Sequence, residues 1–532
     1  MLRAPLIASL LCLSALTTAC AGAQPPAALP PSTPPPAAPT AAAPDDPSMA
    51  LPGDADKVPP PPAECDAFLT RSAPAASCDE KNAHGLLADA LAKADLAERD
   101  AALSALEGCA KLPPGLGRAL RAELAPVACG DVLVEPTLAK PPTGLDPEMR
   151  DTLMGLGFAA RASRLVREAP KLAPPHSKSR VNQFVSGPLR HWIEGQAKAI
   201  HSVSLHGSNL TGYGKAVVAV EAGLADLRFV EVARSAPMPD ELAKDAELRD
   251  AYVGALEQAL EPRKNRGRDA ALVGLKKLGE AGVIHDARVA RARKLLSEIY
   301  AGRRIDALDS LLLPELPFAK PKTDQERLAR LLPTPYAASV FVAHPPGDAA
   351  LLRSLLDRGL PKATREKLQS DKALSADSRR LLARALFALG QRYWRASDFA
   401  AATAALGAVK PAGATKDEVE LVAALASILQ SGPKDATEMM AKGPQLPKGV
   451  GDVAKLDEIG KGKGERAGIA LFDAARLLEI ARPLNADAAY FESIAERYTK
   501  AAAELGDATK KREATDRAKA ARDTVTALGK KP

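Results

Sequence analysis

Four cysteines lie close together in the first quarter of this chain, and they constrain its fold more than any other feature. They are Cys65, Cys78, Cys109 and Cys129, and no cysteine follows them in a chain of 532 residues. Their spacing matches no zinc signature of the CxxC type, so two disulfides are the expected use in an exported protein. Three pairings can be drawn. We expect Cys65–Cys78 and Cys109–Cys129, because each of these bonds closes a short local loop.

The amino terminus indicates that the chain is exported. Arg3 precedes an uncharged apolar run from Leu6 to Leu16, and small residues then lead to Cys20. This layout is typical of a secretory signal peptide, and the run is too short to span a bilayer. One interpretation is an ordinary signal peptide that is cleaved near Ala21 or Ala23, which would discard Cys20.

The residues Leu16-Thr17-Thr18-Ala19-Cys20 resemble the bacterial lipobox. The resemblance implies that residues 1–19 are removed, that the thiol of Cys20 carries a diacylglycerol, and that the new amino terminus is acylated, for example with palmitate. Several acyl chains would hold the protein firmly, since each buried methylene contributes about 0.8 kcal/mol. Ala21 stands where an Asp commonly retains lipoproteins in the inner membrane. We therefore expect an outer-membrane lipoprotein that faces the periplasm.

Residues 20–64 are predicted to be a disordered linker. They are almost entirely Pro, Ala and small polar residues, which cannot bury enough apolar surface to fold. Chains rich in proline favour the extended polyproline II conformation, so this segment would act as a tether to the membrane. A PxxP ligand for a partner domain is the functional alternative.

The remainder of the chain predicts an all-α protein. Aromatic residues make up only 4% of a chain that is 46% hydrophobic, so its cores depend on Ala and Leu, which favour helices. We expect a small helical domain over 65–140, stapled by the disulfides, a central helical domain over 141–320, and a third domain over 321–532. Within these domains we expect residues 131–147 to form a connector and Pro262 to break a helix.

One short stretch carries a repeat signature. Leu386, Leu389, Gly390 and Tyr393 follow the spacing L-x2-L-G-x2-Y, and the stretch ends with Phe399, Ala402 and Leu406. This pattern resembles the tetratricopeptide repeat W-x2-L-G-x2-Y…A-x3-F, with Leu in the Trp and final Phe positions. The resemblance implies two helices that cross closely at the small residues, within a helix-pair solenoid that binds proteins or peptides and performs no catalysis. A single repeat cannot bury its apolar face alone, so neighbouring repeats are required.

Degenerate neighbours for this repeat are present on both sides. Thr323 to Glu326 and Thr415 to Glu418 are capping-box sequences, each of which should open a helix. Further helices are expected over 348–358, 376–396, 434–441, 466–482, 486–505 and 507–528.

Other patterns point to chemistry only weakly. Gly207 to Lys215 superficially resembles a phosphate loop, but Ala216 follows where a Ser or Thr must reach magnesium, so a glycine-rich loop leading into a buried helix is expected. The histidines His191, His201 and His206 lack a metal-binding motif. Basic residues cluster at 263–268 and 288–294, and they are either solvated faces or a site for an anionic ligand such as lipopolysaccharide.

Together these patterns favour a non-enzymatic scaffold or adaptor of the cell envelope. It would be anchored in the membrane by lipid and would bind other envelope proteins through helical repeats, with no cofactor and no metal. The net charge of +7 is modest for this length and does not indicate a nucleic-acid partner. The alternative is a periplasmic binding protein for glycan, peptidoglycan or another anionic envelope ligand.

Overall fold

The computed structural model describes most of the chain beyond residue 50. The described residues are 51, 58–70, 77–300, 303–317, 319–341, 348–410, 415–443 and 453–529. Within these ranges the regular elements are all helices, and an isolated bridge joins Val283 to Gly359. The all-α prediction is therefore confirmed. The predicted signal peptide and Cys20 lie outside the described residues.

The amino-terminal helices are short and surround a leucine-rich core. Asp95 accepts a hydrogen bond from the Glu98 backbone N–H at 2.8 Å and so caps the third helix. Leu116 and Leu120 are buried on one face of the fourth, as their spacing predicts. The helices are α1 (Asp66–Thr70), α2 (Ala83–Ala92), α3 (Leu96–Ala105), α4 (Leu116–Leu124) and α5 (Gly130–Ala139).

The cysteines form two disulfides, but the predicted pairing is wrong. Cys65 bonds to Cys129 and Cys78 bonds to Cys109, with Cα–Cα distances of 5.2 and 5.6 Å. The packing of α1 against α5 brings the two ends of this region together, so the outer cysteines meet. Compared with the observed pairing, the predicted short loops would have lowered the entropic cost of loop closure by only about 1–2 kcal/mol. Helix packing outweighs that difference, and the short-loop argument therefore failed.

A buried helix, α9, forms the centre of the molecule. It packs against α6, α8, α11 and α12, and most of its residues are buried, including Glu221 and Asp226. A single π-helical turn, Val185–Leu189, joins α7 to α8. The central helices are α6 (Pro147–Arg164), α7 (Lys178–Phe184), α8 (Arg190–Ser208), α9 (Gly212–Arg234), α10 (Asp240–Lys244), α11 (Ala246–Ala281) and α12 (Ala287–Ile299).

Glycines let α9 approach its neighbours closely. A Cβ atom at Gly214 would lie 2.0 Å from the Asp151 carbonyl oxygen of α6, and one at Gly223 would lie 2.5 Å from the Ala271 nitrogen of α11. The expected buried helix is confirmed and begins at Gly212, but most of the expected glycine-rich loop is helical, since Gly207 lies in the last turn of α8 and Gly214 lies in the first turn of α9. The glycines that superficially resembled a phosphate loop are thus used for helix crossing.

Two helices continue through prolines where we expected breaks. α11 passes through Pro262, and α5 (Gly130–Ala139) occupies the first part of the predicted connector over 131–147 and contains Pro136. Both prolines are exposed, so the backbone carbonyl that loses its helical donor can bind water instead. Burial of the opposite faces of these helices then outweighs the lost hydrogen bond.

The carboxy-terminal helices follow one another as an array. α17 packs against α18, α19 contacts both, and the packing continues through α21, α22, α23 and α24. Thr323 caps α13 as predicted, whereas Thr415 makes no capping hydrogen bond. The helices are α13 (Asp324–Leu331), α14 (Thr334–Val340), α15 (Ala349–Leu355), α16 (Lys362–Ser370), α17 (Ala376–Tyr393), α18 (Ala396–Gly407), α19 (Lys416–Leu429), α20 (Ala436–Lys442), α21 (Ala454–Gly460), α22 (Glu465–Ile480), α23 (Ala488–Glu504) and α24 (Ala508–Gly529).

The main apolar core crosses both predicted domain boundaries, near residues 140 and 320. Its residues range from Leu51 to Ala521, and a second, smaller core includes Leu165, Phe229 and Leu260. A buried polar cluster joins the amino-terminal, central and carboxy-terminal parts of the main core. In the cluster, Glu123 of α4 forms an ion pair with Arg288 of α12. The Tyr213 hydroxyl of α9 donates to Glu123 at 2.9 Å, and the Tyr336 hydroxyl of α14 donates to it at 3.4 Å. Four helices from distant parts of the sequence thus meet at one carboxylate.

The described parts of the predicted linker over 20–64, residue 51 and residues 58–64, contact the helices. Leu51 is buried against α6, and Arg161 donates a hydrogen bond to its carbonyl oxygen at 3.4 Å. Arg164 donates to the Pro59 carbonyl oxygen at 2.8 Å, and Ala63–Cys65 form a 3-10 turn. Arginine donors on α6 satisfy the proline-rich backbone there, which composition alone does not reveal. In the described ranges, no helix has both the length and the apolar character required to cross a membrane.

Candidate functional site: a groove between α17 and α22

A segment over 303–317 follows α12 and lies in a groove of the carboxy-terminal array. It forms a 3-10 turn over Ala307–Ser310 and has no helical structure over 311–317. α17 and α22 form the walls of this groove, and α19 packs against both of them. The segment contacts the carboxy-terminal end of α17 first and reaches its amino-terminal end at Pro317. It therefore runs antiparallel to both walls.

The α17 wall holds the first half of the segment through its main chain. The Trp394 indole Nε1 donates to the Ile305 carbonyl oxygen at 2.7 Å. The Gln391 amide donates to the Leu308 carbonyl oxygen at 2.6 Å. Asp309 accepts from Arg293 of α12 at 2.6 Å and lies 3.2 Å from Arg392 of α17. Two of these contacts fix the backbone, the Asp309 contacts fix a side chain, and the side chains of Ile305 and Leu308 are fully buried in the main core.

The α22 wall holds the segment through one buried carboxylate and one arginine. Asp473 accepts a hydrogen bond from the Leu312 backbone N–H at 2.7 Å. Arg476 donates to the Ser310 hydroxyl and, at 3.4 Å, to the Ala307 carbonyl oxygen. The side chain of Asp473 is completely buried, so the segment covers it.

A cavity of about 320 Å³ adjoins the second half of the segment. The amino-terminal ends of α17, α19 and α22 converge there, and Arg353 of α15 donates to the Pro317 carbonyl oxygen at 3.1 Å. Acidic and basic side chains both face the cavity. Its lining residues are Pro314, Glu315, Pro317, Arg353, Arg380, Thr415, Asp417, Glu418, Glu465, Arg466 and Ile469.

The charges around this cavity are already paired with one another. Glu418 forms ion pairs with Arg380 and, at 3.6 Å, with Arg384. Arg466 forms ion pairs with Asp417 at 3.3 Å and with Glu420. Glu418 was expected to complete a capping box with Thr415, but Thr415 has helical backbone angles and makes no capping hydrogen bond, and Glu418 pairs with Arg380. The cavity therefore offers a balanced polar rim beside the apolar side chains of the segment.

Burial raises the pKa of the Asp473 carboxyl well above its usual range, and the hydrogen bond from Leu312 opposes that effect only in part. The carboxyl is thus protonated more readily in the folded chain than in the unfolded one. Its contribution to stability is complete below the unfolded pKa near 3.8 and is lost as the pH rises through the folded pKa.

Asp473→Asn is expected to remove this pH dependence, because the amide oxygen still accepts from Leu312 and never ionises. The free energy of unfolding of the variant, relative to wild type, should increase between about pH 4 and about pH 8. Denaturant titrations across that range measure it. Asp523→Asn, at an exposed position on α24, is the control and should show no such trend. Parallel pH profiles for wild type and Asp473→Asn would contradict the expectation.

The seven residues of the repeat signature do not line this groove. All of them are buried, and they pack within and beside the α17–α18 pair on the side away from solvent. Gly390 lies where a Cβ atom would come within 2.9 Å of the Phe399 ring. They are Leu386, Leu389, Gly390, Tyr393, Phe399, Ala402 and Leu406.

Gly390→Leu should overpack this crossing and lower the free energy of unfolding by about 1–3 kcal/mol. Thermal unfolding of the full chain measures the effect. Gly407→Ala is the matched control, because no atom lies within 4 Å of its added Cβ, and Lys410→Glu changes an exposed turn on the same hairpin. If Gly390→Leu melts with the two controls, then the helices do not depend on a small residue at this crossing.

The basic clusters mostly face internal carboxylates. Arg263 and Arg266 pair with the buried Asp226 at 3.0 and 2.7 Å, and Arg291 pairs with the buried Glu221. They stabilise the contacts of α9 with α11 and α12. Because these arginines are paired with carboxylates inside the protein, much of the positive charge that an anionic ligand would have needed is already neutralised.

The three histidines of the sequence analysis do not come together in a metal site. The ring of His206 stacks on Phe158, with ring centroids 5.7 Å apart. In the part of the chain that the structure describes, no group of three His, Cys, Asp or Glu side chains is arranged to hold a metal ion.

Sequence reasoning missed the groove itself. Its signal was present as Leu311-Leu-Leu-Pro-Glu-Leu-Pro317, an apolar run with two prolines between two predicted helices. We assigned it only to a domain boundary near residue 320, although a run with so many leucines needs an apolar surface to cover it.

Comparison with known proteins gives no match of any kind. No protein-family model matches the chain, no curated protein is similar to it in sequence, and no solved structure is similar to it in fold.

Proposed function

We propose that this chain is a non-enzymatic adaptor of the bacterial cell envelope, attached to the outer membrane by lipid at Cys20 and facing the periplasm. Its carboxy-terminal array, within residues 321–532, binds another envelope protein in the groove between α17 and α22. The observation that carries the proposal is the seating of the non-helical stretch 311–317 in that groove, with its backbone held by Asp473 and Arg353. Such a groove suits an extended stretch of a partner chain equally well.

The order of helix contacts supports a solenoid built from helix pairs. α17 packs against α18, α18 against α19, α21 against α22 and α22 against α23, while α19 contacts α21 and α20 packs instead against α11. α24 covers the end of the array, with Ala514, Ala518 and Ala521 buried and a charged outer face. A polar terminal helix is what a repeat array needs in order to stay soluble.

Site-specific photo-crosslinking in the cells that make this protein tests the adaptor function. A photoreactive amino acid replaces Asp417, an exposed residue at the rim of the cavity. A discrete adduct with one partner protein is expected. Asp250, an exposed residue of α11, is the control position and should give no such adduct. Equal adducts at both positions, or none at Asp417, would argue against a binding function for the groove.

Cys20→Ser should release the protein from the membrane, because several acyl chains are lost with the thiol. Phase partitioning in a detergent that separates on warming measures the change, and the wild type should enter the detergent phase. The variant should enter the aqueous phase. Unchanged partitioning would mean that Cys20 carries no lipid anchor.

A further inference from the structure

The end of the segment over 303–317 lies at the surface although it is apolar. Leu311 is buried, but Leu312, Leu313 and Leu316 are only partly covered, and Pro317 is exposed. The groove beneath continues into the cavity of about 320 Å³. This stretch therefore lies on the helical array as a bound peptide would, and it does not form part of the deepest core.

The groove recognises the main chain of this stretch. Asp473 accepts a hydrogen bond from the Leu312 backbone N–H, and Arg353 donates one to the Pro317 carbonyl oxygen. Asp473 has a second carboxylate oxygen that is buried without a hydrogen-bond partner, beneath the segment. A fully buried carboxylate that serves a single backbone N–H is unusual in a core, and it is suited to binding a peptide.

We propose that residues 311–317 act as an internal ligand of the groove, and that the partner is a protein with an extended segment of the same chemistry, leucines interrupted by prolines, which replaces them. This inference rests on the proposed adaptor function. The prolines keep such a segment extended at little entropic cost, and the leucines supply the apolar contact. A partner segment must then bind the groove tightly enough to displace residues 311–317.

Tethering determines how strong that competition is. The segment is joined to α12 on one side and α13 on the other, so its effective concentration at the groove is on the order of millimolar. A free peptide of the same sequence therefore binds the intact protein poorly. A chain whose own segment is weakened, but whose groove is intact, binds it better.

The test uses a fluorescent synthetic peptide, Leu-Leu-Leu-Pro-Glu-Leu-Pro with a lysine tail for solubility. Its binding is measured by fluorescence anisotropy to the full-length wild type and to the double variant Leu312→Ala, Leu316→Ala. We expect the double variant to bind at least about tenfold more tightly. A peptide that is N-methylated at its second leucine cannot donate to Asp473 and should lose most of that affinity. Equal affinity of wild type and double variant, or of the two peptides, overturns the proposal.

A second measurement covers the case in which the double variant is unfolded. Hydrogen exchange of the wild type is followed with and without millimolar peptide. Residues 311–313 should lose protection as the peptide replaces them, while α17 and α22 keep theirs. Unchanged protection of 311–313 at saturating peptide overturns the proposal. If Asp417 gives a discrete adduct but the peptide does not displace residues 311–317, the adaptor function is retained and the internal ligand is rejected. If Asp417 gives no adduct either, the adaptor function is rejected as well.

Discussion

Arg288→Met is expected to lower the free energy of unfolding by about 3–5 kcal/mol, because it leaves the Glu123 carboxylate buried without its charge partner. The two side chains are only 7% and 6% exposed. The hydroxyls of Tyr213 and Tyr336 donate to Glu123 but carry no positive charge. Denaturant unfolding of the full chain measures the loss.

Two further variants separate the buried charge from a general effect of the substitution. Lys294→Met lies on the same helix at a side chain that is 77% exposed, so its effect should stay within about 0.5 kcal/mol. Adding Glu123→Gln to Arg288→Met should restore part of the stability, because the uncompensated charge is then gone. If Arg288→Met and Lys294→Met have the same free energy of unfolding, then the burial of Glu123 does not require its ion pair with Arg288.

Gly282→Ala is expected to be at least as damaging, at about 3 kcal/mol or more. Gly282 has a φ of +86°, in the left-handed region that favours glycine, and an added Cβ atom would lie 1.7 Å from the Leu360 carbonyl oxygen. The Leu360 backbone N–H also donates to the Gly282 carbonyl oxygen at 2.9 Å. The substitution therefore forces apart the backbone contact between the end of α11 and the start of α16.

Gly254→Ala is the matched control for this position. Gly254 lies within α11, and no atom comes within 4 Å of its added Cβ. Alanine in a helix interior should raise the free energy of unfolding by about 0.5–1 kcal/mol. Thermal unfolding of the two variants should therefore shift in opposite directions. A Gly282→Ala protein that is as stable as wild type would show that the two backbone segments separate easily.

Helices with a regular apolar period were predictable from the sequence. The expected helices over 376–396, 466–482, 486–505 and 507–528 each correspond to an observed helix with closely similar bounds. Leucine and alanine spacing carries that information locally. The expected helix break at Pro262 was wrong, because the exposure of a proline depends on which face of the helix the rest of the molecule covers.

The disulfide pairing and the groove could not be predicted in the same way. Both depend on which helices pack together across long stretches of chain. The pairing of Cys65 with Cys129 spans a sequence separation of 64 residues, and the hydrogen bond from Leu312 to Asp473 spans 161. Chain-entropy differences of about 1–2 kcal/mol are small beside the burial of several leucines, so local reasoning favoured the wrong cysteines.

The polar cluster around Glu123 also has a consequence for the order in which this chain folds. Glu123 precedes Tyr336 by 213 residues, and Arg327 of α13 reaches Asp89 of α2 across 238 residues. Contacts of such long range form late, since the intervening chain must be synthesised and its ends brought together first. The amino-terminal helices therefore complete their native contacts only after α12, α13 and α14 have been synthesised and have packed against them. During that interval the chain exposes apolar surface, and we expect its folding yield to depend on chaperones.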